Sequence, residues 1–253
     1  MGNKFIILTA AYKVAKWVEL YVNMLKYQSH TNFEVYFIDD ASPDNTIEIV
    51  NKVVNGDPRF HVYRNDVNVG SPLANIVKAF DYANPADEDI IVNVDGDDWL
   101  ASVFVLQYLS GVYNYHNCWL THGNYQMYPS GDLGGHAQLT IPDNISRLNA
   151  YKKFAFVTSH LRSYKAGLFR KVDRKDLIDP RTGQIYKEAS DLALMFPMLE
   201  MAGNEKCVKI NDILLILNRE NEMNEAKINL DKQKETEHII RTKQKIYDRI
   251  HNL

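Results

Sequence analysis

The sequence predicts an α/β protein with a Rossmann-like, mostly parallel central sheet and helices on both faces. Three observations point there. Apolar runs and helical-period segments alternate three times within the first hundred residues. The runs are continuous rather than alternating, as strands covered on both faces require. Two of them, Glu34–Ile38 and Ile90–Val94, end directly in carboxylates, at the strand ends where open α/β sheets bind ligands.

The elements follow in order. Phe5-Ile6-Ile7-Leu8 reads as a buried strand, with Thr9-Ala10-Ala11-Tyr12 as the loop at its ligand-facing end. Ala15 to Tyr27 carries Trp17, Leu20, Tyr21, Met24 and Leu25 at helical spacing. Glu34 to Ile38 is the second strand and runs into Asp39-Asp40-Ala41-Ser42-Pro43-Asp44. Thr46 to Val54 is the next helix, and Asp44 is expected to cap it. Phe60 to Tyr63 is a short third strand. The loop Asn65 to Pro72 contains Asn68-Val69-Gly70 and precedes a helix from Leu73 to Ala83, whose N-terminus could face a phosphate.

Ile90-Ile91-Val92-Asn93-Val94 then enters Asp95-Gly96-Asp97-Asp98. Three acids within four residues repel one another, so a site that gathers them calls for a hard cation such as Mg²⁺ or Mn²⁺. Gly96 suits a sharp, close-packed turn. Without its neighbours the segment is equally an acidic turn.

Beyond Asp98 the pattern weakens. Val103 to Tyr115 reads as a helix and Trp119 to Tyr125 as a fifth strand. His122 is a candidate at its end, although a hydrogen-bonded structural histidine is the commoner outcome. The stretch from Ile141 to Arg162 is irregular, and His160, Arg162 and Lys165 are candidates there. Ser190 or Asp191 is expected to cap an apolar helix running to about Met201, with Pro197 kinking it and Gly203 ending it. Val208 to Leu217 is a strand, edge-placed. Leu230 to Leu253 reads as a charged helix with sparse apolar positions. Its two destinations are the body of the protein or a second copy, which would make a homodimer. The organisation expected is one domain over 1–225, with a nucleotide-binding half 1–115 and an acceptor-binding half 116–225, followed by a helical tail 226–253.

Bulk properties narrow the function. A net charge of −3 gives no polyanion-binding face, so nucleic acid is not an expected partner. Cys118 and Cys207 make neither a disulfide framework nor a zinc pattern. No signal peptide and no apolar run of roughly 20 residues is present, so a soluble cytoplasmic protein is the default expectation.

Four motifs stand in order: Thr9 to Tyr12, Asp39-Asp40-Ala41-Ser42-Pro43-Asp44, Asn68-Val69-Gly70 and Asp95-Gly96-Asp97-Asp98. Together they resemble the nucleotide-binding half of a GT-A glycosyltransferase of family two. The resemblance implies a GT-A fold, a nucleotide-sugar donor (UDP being the family's commonest nucleotide) and inverting transfer to a hydroxyl of a glycan, lipid or protein acceptor. It implies nucleotide contacts from Thr9, Ala10, Tyr12, Asp40, Asn68, Gly70, Asp95, Gly96 and Asp97. Mn²⁺ or Mg²⁺ would sit on Asp97 and Asp95, with Asp98 holding a Lys or Arg or orienting the loop. Asp40 is preferred to Asp39 because adjacent residues on an extended segment point opposite ways. Asp191 matches the family's general base before an apolar helix, with Glu188 in reserve. Asn218-Arg219-Glu220-Asn221 resembles a segment after the last strand, from which Arg219 could neutralise phosphate, a surface ion pair being its plainer role.

The chain departs from the family pattern in three places. Ala74-Asn75 replace an Arg, Ser190-Asp191 replaces Glu-Asp, and Glu222 replaces a Pro. The rival readings are a nucleotidyltransferase, which would place a Gly-rich basic loop after the first strand, and a non-catalytic sugar-nucleotide or carbohydrate-binding module.

Overall fold

The computed structural model describes residues 2–135, 138–221, 230–243 and 245–253. Glu222, the expected domain boundary at 225/226 and Glu225, which like Glu220 is an expected ion-pair partner of Arg219, lie outside the described residues.

The first hundred residues fold as expected. Strands β1 (Phe5–Ala11), β2 (Phe33–Asp39), β3 (Phe60–Arg64) and β4 (Ile90–Asn93) alternate with helices α1 (Val18–Lys26), α2 (Thr46–Val54) and α3 (Pro72–Ala83). All four strands are parallel, in the order β3-β2-β1-β4. β1 continues past Leu8 to Ala11, so Thr9 and Ala10 are strand residues rather than loop. The cap position of α2 belongs to Asn45 rather than Asp44, whose carboxylate nonetheless accepts the Thr46 N–H at 3.2 Å and the Thr46 hydroxyl at 2.6 Å.

The second half completes the sheet. It adds β5 (Trp99–Leu100), α4 (Val105–His116), β6 (Leu120–Tyr128), α5 (Asp143–Arg147), β7 (Arg162–Lys165), α6 (Ala166–Arg170), α7 (Ser190–Lys206), β8 (Cys207–Asn218) and α8 (Leu230–Thr242). The sheet runs on from β4 through β7, β6 and β8 to β5. Pairing is antiparallel at β4–β7, β7–β6 and β8–β5, and parallel at β6–β8. β8 is therefore not an edge, since the two-residue β5 lies outside it.

Strand alternation splits the core into two. Ile6, Leu8 and Ile91 face one cluster with α3, α6 and α7. Phe5, Ile7, Ile90 and Val92 face the other with α1, α2 and α4. Helices cover both faces, as the continuous apolar strands require. Within α7 the backbone stays helical through Pro197 and breaks at Gly203, whose φ is 67°.

The tail differs from expectation. Helix α8 ends at Thr242, and residues 245–253 carry no helix. They lie along α7 instead. The Ile250 N–H donates to Met201 O at 3.1 Å, and the Tyr247 N–H donates to Glu200 Oε2 at 3.0 Å. Lys245 pairs with Asp176 at 2.6 Å and the Tyr247 hydroxyl donates to the same carboxylate, partners that a continued helix would not present together. Ile240, Tyr247 and Ile250 join the chain's own core, so the described part of the tail packs on the body of the protein. Among the described residues, no helix is long and apolar enough to cross a membrane.

Candidate active site

The acid cluster begins where β4 ends. The Gly96 N–H donates to Ala10 O at 3.1 Å, folding the turn back onto β1. A methyl group at Gly96 would stand 2.7 Å from Ala11 Cβ, so the absent side chain is what allows this approach. Gly96→Ala is expected to cost about 1–3 kcal/mol, the usual price of overpacking. Thermal melting should show a lowered Tm, and an unchanged Tm would mean that β1 yields freely.

The Asn218–Asn221 segment holds the acids from the far side of the sheet. Asn218 N–H donates to Asp98 Oδ1 at 2.8 Å, and Asn221 Nδ2 donates to Asp97 Oδ2 at 2.7 Å. Asp98 is 2% exposed and committed to this junction, consistent with loop orientation. Arg219 donates its backbone N–H to Tyr128 O at 2.9 Å, and its neighbour Glu220 pairs with Lys16 at 2.8 Å.

Crowding shows in the protonation of the cluster. Burial, then the Asp97 charge, pushes Asp95 up to about 6, partly offset by Arg162. Burial raises Asp97 and raises Asp98 strongly. A carboxyl group raised in the fold favours folding below its unfolded pKa of about 3.9, and that advantage is lost as pH rises through about 6. Without divalent ions, Asp95→Asn should therefore be more thermostable than wild type at pH 7, with the difference shrinking towards pH 4. An equal difference at both pH values would contradict the crowding.

The second pair of acids is arranged differently from the expectation. The Asp40 carboxylate accepts the backbone N–H groups of Val69 and Gly70, each at 2.9 Å, and Asn65 Nδ2 at 2.7 Å. Asn68 Nδ2 donates to Asp40 O at 2.9 Å. Asp40 is thus the organiser of the Asn-x-Gly loop. Asp39 is wholly buried: its Oδ2 accepts the Ser42 N–H at 3.2 Å and lies 3.5 Å from Arg64 Nε, while its Oδ1 has no hydrogen-bond partner. Asn75 accepts from Asn65 Nδ2 at 2.9 Å, and Lys78 Nζ donates to Asn65 Oδ1 at 2.7 Å, so both support this loop from behind.

Thr9 does not line a binding surface. It is fully buried, and its hydroxyl is hydrogen-bonded to that of Tyr21. Ala10 offers its carbonyl to Gly96, and Tyr12 is half-buried just past the strand.

The other half brings Asp191 and Arg162 to the same lip. β7 pairs with β4 so that Arg162 is opposite Asn93, two residues before Asp95. Arg162 Nη1 donates to Asp191 Oδ2 at 3.3 Å. Asp191 is in the first turn of α7, where a carboxylate suits the helix dipole. The cap position itself belongs to Ala189 with φ 49°, rather than to Ser190 or Asp191. Glu188, half-buried, is the residue before it. Lys187 Nζ would be 3.7 Å from a Cβ on Gly70, and Ser71 Oγ donates to Tyr186 O at 2.7 Å, so the approach to α7 docks on the Asn-x-Gly loop.

The histidines are neutral supports. His122 is 2% exposed, and burial, followed by the Lys209 charge, lowers it to about 4. It sits buried in β6 opposite Lys209, and its Nδ1 has no hydrogen-bond partner, which corrects its candidacy as a site residue. Burial and the Arg162 charge hold His160 well below its usual range, and its ring meets Tyr125 edge-on at 5.7 Å. Lys165 leaves the site altogether and pairs with Glu88 at 2.6 Å.

Comparison with known proteins now decides the family. Glycosyl transferase family 2 matches residues 6–173. The chain belongs to that family. An uncharacterized glycosyltransferase of Haemophilus influenzae is 33% identical over 98 residues, covering 39% of this chain and 37% of that protein. The crystal structure of S. aureus TarS 1–349 with UDP-GlcNAc superposes with a TM-score of 0.69 at 21% identity, over 94% of this chain and 65% of that one. The mannosyltransferase PcManGT from Pyrobaculum calidifontis, in complex with GDP-Man and Mn²⁺, gives 0.55 at 14%, over 85% and 57%. These likenesses confirm the fold expected of a GT-A glycosyltransferase. The chain spans roughly a third to two-thirds of the length of these relatives.

Some contributors to this candidate site have no signal of their own in the sequence. Asn218 and Asn221 stand out only as parts of a segment, yet they hold Asp98 and Asp97. Lys187 belongs to no pattern. The unpartnered oxygen of Asp39 is a property of packing and has no sequence signal.

Proposed function

We propose that this chain transfers a sugar from a nucleotide donor, a UDP-sugar, to an acceptor hydroxyl with inversion, assisted by Mn²⁺ or Mg²⁺. One observation carries the reading: Asp95, Asp97 and Asp191 converge at one lip of the sheet with Arg162 among them. TarS in complex with UDP-GlcNAc and PcManGT in complex with GDP-Man and Mn²⁺ support a nucleotide-sugar donor and a divalent ion.

The residues present fit the ion. Among the described residues, no three acid, histidine or cysteine ligands could hold a metal on their own. Mg²⁺-type sites need only one or two carboxylates, with substrate phosphates and water completing the shell. Asp95 and Asp97 supply hard oxygen ligands, and their mutual repulsion favours a cation between them. When bound, the ion supplies positive charge against the diphosphate that departs.

The chain's own residues do the rest. Asp191 accepts the acceptor hydroxyl's proton as that oxygen bonds to the anomeric carbon, and the bond from that carbon to the donor diphosphate breaks. One displacement of this kind inverts the centre. We assign the nucleoside contact to Asp39, whose Oδ1 is buried without a partner, in place of Asp40, whose carboxylate is spent on the loop. We assign Asn68 and Gly70, on the loop that Asp40 holds, and Tyr12 to the same nucleoside, and Arg219 to the diphosphate. Residues between 119 and 190 receive a glycan, lipid or protein acceptor.

The test is product identity. Incubation with UDP-sugars, Mn²⁺ and candidate acceptors should release UDP. No UDP from these donors, but inorganic diphosphate from UTP and a sugar 1-phosphate, would instead favour a nucleotidyltransferase, and binding without turnover a non-catalytic module.

A further inference from the structure

Arg162 is the buried charge that the mechanism above leaves without a task. Its guanidinium is 10% exposed and lies among carboxylates. Nη1 donates to Asp191 Oδ2 at 3.3 Å, a long bond for a charged pair. Nη2 faces His160 Nδ1 at 3.5 Å, and that ring is kept neutral. Nε is buried and has no partner. A guanidinium with five donors in a rigid fork is poorly satisfied by these contacts. Its backbone is fixed beside β4, two residues from the start of the acid turn. Any diphosphate held at Asp95 and Asp97 therefore enters the field of Arg162.

Resting on the proposed function, we propose that Arg162 is a positioning residue shared between Asp191 and the donor. In the empty site it occupies the Asp191 carboxylate. When the nucleotide diphosphate arrives, its oxygens take the unsatisfied donors, and Asp191 is released to meet the acceptor hydroxyl. The site would thus free its base only after the donor is in place, which limits attack by stray water on an unfilled site. The exchange is a matter of geometry: the same guanidinium cannot give its strongest bonds to both anions.

Calorimetry with UDP, and with uridine as the probe lacking phosphate, tests this in a double-mutant cycle with Mn²⁺ present. Arg162→Met should weaken UDP binding by about tenfold to a hundredfold, the range of a lost charge-assisted bond, and leave uridine binding unchanged. Asp191→Asn should tighten UDP binding by about threefold to tenfold, because Arg162 is released. In the Arg162→Met background, Asp191→Asn should change UDP affinity by less than about twofold. An undiminished Asp191→Asn effect in that background would mean simple repulsion between anions and would overturn the sharing. Equal losses of uridine and UDP in Arg162→Met would mean that the side chain only supports the fold. Should Arg162→Met not fold, Arg162→Lys, which keeps the charge but loses the fork, should weaken UDP alone, and unchanged UDP binding there overturns the proposal. Wild type that binds uridine and UDP equally, or neither, removes the proposed function and this inference together.

Discussion

Asp191→Asn is expected to lower kcat by about 10²–10⁴-fold, the contribution typical of a positioned general base. Donor affinity should not fall. The substitution keeps the shape of the side chain and removes its ability to take a proton. Asp191 suits the role by position. Its side chain is 34% exposed, open enough to meet an acceptor, whereas Arg162 beneath it is 10% exposed. Its Oδ1 accepts the Leu192 N–H at 3.0 Å, which fixes the carboxylate at the mouth of α7. The other acids are less suited. Asp98 is closed off by Asn218, and Asp40 is saturated by the loop it holds. Initial rates with saturating donor check the claim. A variant that turns over at near wild-type rate would move the base elsewhere, with Glu188 next to be tested.

Asp97→Ala should abolish the metal-dependent part of donor binding. Ligand at about a hundredfold above its Kd stabilises a protein by about 2.7 kcal/mol. For a chain of this size that is about 5–10 °C in Tm. Wild type should show this shift with Mn²⁺ and UDP-sugar together, and Asp97→Ala should show almost none of it. The variant also removes the bond that Asn221 Nδ2 donates to Asp97 Oδ2. Asn221→Ala is therefore the control: it removes the tether and keeps the carboxylate, so a residual shift is expected. A full shift in Asp97→Ala would place the ion, or the donor, away from this residue.

The parallel half of the fold was legible because its signals are local. Continuous apolar strands, helical spacing and terminal carboxylates each follow from burial and sheet geometry. The second half was less so, for a physical reason. β7 reads Arg-Ser-Tyr-Lys and has no strand pattern, because Ser163 is buried and satisfied by Thr121 at 2.6 Å and Tyr113 at 3.0 Å. Its strand character comes from partners 42 and 50 residues away. The sequence of the tail predicts one helix to its end, whereas anchoring by Asp176 and Glu200 accompanies its stop at Thr242.

The site shows the same division. Asp95, Asp97 and Asp191 stand out in the sequence by type and place in the chain. The alternation rule for adjacent residues prefers Asp40 to Asp39, and it carries no information on the Asn-x-Gly loop, whose N–H groups the Asp40 carboxylate accepts. Thr9 was read as loop because β1 ran three residues longer than its apolar run suggested. His122 was caught between two roles, and burial beside Lys209 favours the structural one. Local chemistry is visible in a sequence, while the allocation of hydrogen bonds among neighbours becomes visible only once distant segments meet.

The central claim is that the lip at Asp95 and Asp97 is where a nucleotide sugar and its divalent ion are held. Crystals soaked with Mn²⁺ and a UDP-sugar test it most directly, since manganese identifies itself by anomalous scattering. The expected result is an ion coordinated by Asp97 or Asp95 and bridged to the donor's phosphates, with the nucleoside lying towards Asp39. Ion and donor bound together at any other surface, with this turn left bare, would contradict it.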